Sequence, residues 1–286
     1  MNFISKNRSQ EDFELLAKIC YDTLVQDIDG KQHSDDFCGI YVEGRDREIN
    51  HVEDLAAAHS FKIFSEYNYP YFIFSPNSNN LLSNNPRYKN ARIEHIKIPE
   101  LNSHDLYSQF MIKHVWDFIP KEFNNILFFH PDGFLIKEGW EHFVIDNKID
   151  YIGSAWCHTP KIEVFHEEQW KLINLPGIQC GNGGFSFRKR SVCQEVSKNF
   201  SNLKMREYGR LDDRPPPEDL FYSHLINGSI KGSTVANLQQ CMKFSLDPIS
   251  LSEYNDKLSY GFHYPQKTNA YQAYRNRFLS HSNVNY

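Results

Sequence analysis

Apolar residues fall into two rhythms along this chain. Over residues 11–27, Phe13, Leu16, Ile19, Cys20 and Leu24 recur at helical spacing and predict a leading helix. Residues 37–42 are instead a short run with no polar side, the pattern of a buried strand, and end in Glu43-Gly44-Arg45. Residues 50–59 read as a helix, 62–64 and 71–74 as short strands, and 75–91 as a loop rich in Ser, Asn and Pro. Another strand is expected at 95–98. A helix is expected over 103–118, with Ser103 as N-cap and Leu106, Phe110 and Phe118 on one side. Residues 126–129 are again apolar on both faces, as in a central parallel strand, and stop at His130-Pro131-Asp132-Gly133. A strand at 151–153 follows a further helix.

This alternation of strand and helix predicts an α/β fold around a mostly parallel, mixed sheet. The later half is less regular. It holds a glycine-dense segment read as a tight turn, Gly181-Asn182-Gly183-Gly184, followed by a strand in which Phe185 and Phe187 alternate with Ser186 and Arg188. Helices are expected near 191–199 and from Pro217-Glu218-Asp219 onward, and strands near 233–237 and 261–264. Asn227-Gly228-Ser229 reads as a surface turn.

Composition narrows the class. With 286 residues, 40% apolar and 23% charged, the chain can bury a substantial core. Its formal charge of −5 argues against a broad nucleic-acid surface. The six cysteines form no C-x-x-C pair and read as reduced thiols of a cytoplasmic protein. No stretch looks like a secretion leader or a membrane span.

Four segments could carry chemistry. Asp132 follows a buried strand, where ligands of open α/β sheets gather, and an acid there can hold Mn2+ or Mg2+ against a diphosphate. The same residues also read as a plain turn. The glycines do not fit a nucleotide-binding glycine pattern; their use would be open space above bare backbone. Arg188 with Lys189 and Arg190 could meet phosphate or form a solvated basic cluster. Glu218 and Asp219 could supply a base to a sugar hydroxyl, or serve only as favourable acids at a helix start. Trp156 after the 151–153 strand reads as core or as a sugar platform. Glu43 and Arg45 read as a structural pair or a nucleotide contact, and His263 as structural or as a ligand.

In order, Val42-Glu43-Gly44-Arg45, His130 to Gly133, Asp150 to Ser154, Gly181 to Arg188, Glu218-Asp219 and Phe262-His263 span residues 37–265. This set resembles a family of sugar transferases catalogued as a domain of unknown function, with V-E-x-R, Q-T-D-G, D-Y-I-G-A, G-N-G-G-F-S-L-R, E-D and F-H segments. The resemblance implies a GT-A-like glycosyltransferase with a nucleotide-sugar half at 37–153 and an acceptor half at 154–265, between a helical extension at 1–36 and a tail at 266–286. It implies a nucleotide-sugar donor, expected to be a UDP-sugar, and a glycan or lipid-linked glycan acceptor. An enzyme of this kind could work at the inner face of a membrane by peripheral association.

Carried over residue by residue, Asp219 is the base and Glu218 an acceptor ligand or alternate base. Asp132 and Gly133, with Glu43, Arg45 and Arg188, meet the donor. Asn182, Gly183, Gly184 and Trp156 line the sugar or acceptor pocket, and Asp132, His263 and His130 are metal ligands. His130-Pro131 stands where the family has Q-T, leaving one acid in that motif; Arg45 and Arg188 could then take over the diphosphate charge. The altered motif also permits a non-catalytic nucleotide- or sugar-binding module on the same fold; a metal-dependent hydrolase ranks last, because the sequence shows no clear multi-His or multi-acid cluster.

Overall fold

Strands apolar on both faces can only sit inside a covered sheet, and the chain uses them that way. The computed structural model describes residues 36–47, 57, 60, 61, 63, 64, 69–76, 93–131, 133–135, 138–156, 161–173, 180–207, 216–246 and 259–263. The expected leading helix, nearly all of the 50–59 helix, all but the first two residues of the 75–91 loop, the tail and Asp132 lie outside them.

The central sheet joins β1 (Phe37–Val42), β2 (Tyr71–Ser75), β3 (Ile93–Lys97), β4 (Asn125–Phe129), β6 (Tyr151–Ala155) and β9 (Cys180–Lys189) in the order β3-β2-β1-β4-β9-β6. β3, β2, β1 and β4 run parallel, and β9 runs antiparallel between β4 and β6. This is the expected mostly parallel mixed sheet. Every residue of β1 and β2 is buried, whereas the edge strand β3 is partly exposed.

Helices cover both faces. On one, Phe37, Tyr41, Leu127 and Phe129 pack with Phe61, Phe64 and Trp140. On the other, Cys38, Ile40, Val42 and Phe128 pack against α1 (His104–Lys113), α2 (Val115–Phe118), α4 (Arg190–Phe200) and α5 (Glu218–Ser229). α3 (Trp140–Asp146) and α6 (Leu238–Phe244) join the first face. Two small sheets complete the described residues. One has the order β10-β7-β8, from β7 (Ile162–His166), β8 (Gln169–Ile173) and β10 (Met205–Glu207). The other has the order β11-β12-β5, from β5 (Gly133–Leu135), β11 (Ser245–Leu246) and β12 (Gly261–His263).

Several expectations change. Ile63 and Phe64, expected in a strand, are helical, because Ala57, Phe61 and Phe64 reach the core at helical spacing. The 103–118 helix keeps its Ser103 cap, whose side chain accepts from the Leu106 N–H, but breaks at His114; Leu106 is exposed rather than buried beside Phe110. Residues 233–237 form no strand, only a bridge between Val235 and Tyr151. Asn227 to Ser229 are the last turn of α5, not a surface turn. The glycine segment is not a tight turn either; it is the first part of β9.

Candidate active site at the carboxyl edge of the sheet

β1, β2, β3, β4 and β6 all end at one edge, and antiparallel β9 begins there. Because β4 stops at Phe129, paired with Phe185, the backbone of Gly181 to Gly184 runs on past it. His130 N–H still donates to Gly184 O at 2.9 Å, and Gly133 N–H to His130 O at 2.9 Å. On the other side the β6–β9 register shifts between Ile152 and Ala155. Gly153 lies against the Asn182 carbonyl, and Gly181 holds φ +150°, where an L side chain is disfavoured. Glycine is needed here for close approach of strands and side chains rather than for a turn.

α5 delivers its acids to this floor. A β-carbon on Gly183 would meet Glu218 Oε1 and would lie 2.9 Å from Arg188 Nη2. Glu218 is buried, and Arg188 Nη2 donates to its Oε1 at 3.2 Å. Asp219 is half-buried, and its Oδ1 accepts from the Leu220 N–H at 2.7 Å. Burial, then the charge of Glu218, pushes the Asp219 carboxyl up to about 7, against the pull of the Leu220 amide, Arg188 and the Gly183 amide. A carboxylate of that strength is suited to taking a proton near neutral pH.

The basic side of the edge comes from other strands. Glu43 is buried at the end of β1. It accepts from Arg45 at 2.9 and 3.0 Å and from Arg47 at 2.7 Å, so the structural pairing of Glu43 and Arg45 is present. His130 Nε2 and Tyr107 OH share a 2.5 Å hydrogen bond. Burial, then the charges of His263, Arg188, Arg45 and His104, holds the His130 imidazole well below its usual value, which leaves it neutral. His263 sits opposite Gly133 in the β5–β12 pair, with its imidazole packed directly against Gly184.

The fold thus brings together Gly133, Asn182, Gly183, Gly184, Arg188, Glu218, Asp219, His130 and His263. Asn182 Oδ1 accepts from the Gly184 N–H at 3.2 Å. Trp156 is half-buried, and its ring abuts Gly181. Asp132 lies outside the described residues, among which no group of three or more His, Cys, Asp or Glu is placed to hold a metal. The basic residues do not form one solvated cluster: Arg188 is fully buried, Arg190 is buried and donates to the Pro120 and Trp116 carbonyls, and only Lys189, paired with Asp150 at 2.9 Å, is partly exposed. Among the described residues no helix is long and apolar enough to cross a membrane.

Two site tyrosines were missed. Tyr107 is reached by α1 one turn beyond its cap, and nothing in a helical pattern marks it. Tyr151 OH donates to Gly181 O at 2.8 Å. Its signal was its place in the Asp150 to Ser154 segment.

No curated protein matches the chain. Among solved structures it is similar to core-mannan synthase A from Aspergillus fumigatus in its Mn/GDP form, at 9% identity and a TM-score of 0.39, covering 69% of this chain and 72% of that one. It is also similar to a glycosyltransferase involved in glycosylation of the major capsid of PBCV-1, at 11% identity and a TM-score of 0.42, covering 85% and 98%. A third likeness is to 4-diphosphocytidyl-2C-methyl-D-erythritol synthase from Anaerococcus prevotii, at 8% identity and a TM-score of 0.44, covering 86% and 97%. A family described as protein of unknown function (DUF5672) matches residues 90–263, from β3 to the end of β12. That match takes in most of the site as well as more than half of the chain, and the chain belongs to the DUF5672 family.

Proposed function

We propose that this chain is a GT-A-like glycosyltransferase that moves a sugar from a nucleotide-sugar donor, a UDP-sugar in our reading, to a hydroxyl of a glycan or lipid-linked glycan. The observation that carries the proposal is Asp219. Its carboxyl is raised to about 7 and lies beside the bare backbone of Gly183, at the edge where an open α/β sheet takes its ligands.

In this reading the acceptor hydroxyl gives its proton to Asp219 as its oxygen attacks the anomeric carbon from the face opposite the nucleotide, so the reaction inverts. Asn182, Gly183, Gly184 and Trp156 line the sugar, and Glu218 stays in place beneath them. Arg45 and its neighbours at the end of β1 face the nucleotide. A Mn2+ or Mg2+ ion, when bound, would neutralise the departing diphosphate, and it falls to Asp132, His263 and His130 to hold it. His130 is held neutral, the form that suits ligation.

Donor binding tests this without knowledge of the acceptor. A ligand that binds only the folded chain raises its melting temperature by mass action. At least one nucleotide-sugar of a broad panel, tested with and without Mn2+, should raise it, and the parent nucleoside diphosphate should do so too. A panel that leaves the melting temperature unchanged throughout would refute the proposal.

A further inference from the structure

Arg188 has no exposed surface. Its Nε donates to Ser186 Oγ at 3.1 Å and its Nη2 to Glu218 Oε1 at 3.2 Å. The guanidinium carbon lies 4.9, 5.7 and 5.4 Å from the ring centroids of Phe128, Tyr151 and Tyr222. Nη1 has no hydrogen-bond partner among the described residues. A side chain enclosed in this way cannot meet a solvated phosphate, the role its sequence position suggested. Its one carboxylate contact among the described residues is Glu218, directly below Gly183.

We propose that Arg188 is a positioning residue: from beneath Gly183 it holds Glu218 as the charged member of the carboxyl pair and so fixes Asp219 as the group that takes up and releases the proton. The inference rests on reading Asp219 as the base. Two adjacent carboxyls at one buried helix start do not both carry charge freely, and their titrations are coupled. Arg188 bonds to only one of them. The groups facing Asp219 are Glu218 from α5, Arg188 and the Gly183 amide from β9, and Tyr151 from β6. Of these, Glu218 pushes the proton onto Asp219, while Arg188 and the amides of Gly183 and Leu220 oppose it. Burial works against a charge on Arg188, yet the Glu218 carboxylate beside it favours one, and the guanidinium stays cationic throughout.

The test is a carbon-13 NMR titration of the side-chain carboxyls in the full chain, with the Asp219 resonance assigned by its loss in Asp219→Asn. In the unaltered protein Asp219 should titrate near neutral pH. In Glu218→Gln its midpoint should fall by about one pH unit or more, because the repelling charge is gone. In Arg188→Met the preference between the two carboxyls should be lost, so that the Asp219 resonance no longer follows one step but reports both steps of the pair, and Arg188→Lys, which keeps the charge, should restore the single step. An Asp219 resonance that titrates in Arg188→Met in the same single step as in the unaltered protein would overturn the proposal. Where Arg188→Met does not fold, two other results overturn it: Asp219 titrating in the ordinary carboxylate range, or not responding to Glu218→Gln. The titration needs no substrate. A chain that titrates as stated but binds no nucleotide-sugar would therefore refute the transferase reading and leave the Arg188 role standing.

Discussion

The imidazole of His263 fills the space that a β-carbon on Gly184 would occupy, so β12 docks on β9 through a side chain laid on bare backbone. The same holds one residue earlier, where Glu218 and Arg188 lie against Gly183. Two contacts between distant parts of the chain depend on these two glycines.

Alanine at either position should therefore act at long range. Gly183→Ala should cost about 1–3 kcal/mol of stability through overpacking. It should also displace Glu218 and lower sugar transfer more than it lowers donor binding. Gly184→Ala should displace His263. Chemical denaturation beside donor titrations checks both.

Asp219 gives a pH prediction with a definite sign. Its carboxyl titrates at about 7 in the folded protein against a usual value of 3.8. The folded state thus holds a proton that the unfolded state has lost between these values, and stability falls as pH rises from about 4 through 7. Asp219→Asn removes that loss and keeps an acceptor for the Leu220 N–H. It should be more stable than the unaltered chain at pH 8, on the order of 1–3 kcal/mol, with the difference vanishing near pH 4. Activity should move the opposite way: kcat/KM should rise with pH through about 7 in the unaltered chain, as the base loses its proton.

Tyr222 ties the helix that carries these acids to α1, α2 and α4. Its hydroxyl donates to Met111 O at 2.8 Å, accepts from Trp116 Nε1 at 2.9 Å and meets Ser197 Oγ at 2.9 Å. Tyr222→Phe leaves a buried indole N–H without its acceptor and should cost about 1–3 kcal/mol. The Asp219 titration should stay near neutral, since the Arg188–Glu218 contact remains.

Asp132→Ala tests the donor side. Any strengthening of nucleotide-sugar binding by Mn2+ or Mg2+ should be lost in this variant, while binding without metal changes little. Calorimetric titration with and without the ion reads both.

The central strands were legible because a run such as Phe37 to Val42 has no polar side and must be covered on both faces. The Glu218 helix was legible from its proline and acids. The glycine segment was misread because glycine marks turns and close strand contacts alike, and only the positions of Gly153, Glu218 and His263 distinguish them. Arg188 was misread for a related reason. Alternation put Phe185 and Phe187 on one face and Ser186 and Arg188 on the other. It could not reveal that β9 is an interior strand whose second face lies under helices. The partners of His130 come from α1 and β12, far apart in sequence, so no local pattern announces them.

The most direct test is sugar transfer itself. The purified chain would be incubated with the nucleotide-sugar that stabilises it and a panel of glycan and lipid-linked acceptors, and the products weighed by mass spectrometry beside nucleoside diphosphate release. The account predicts an acceptor heavier by one sugar and an equal amount of diphosphate, with both lost in Asp219→Asn while donor binding persists. Full transfer by Asp219→Asn, or donor binding with no transfer to any acceptor, would contradict it.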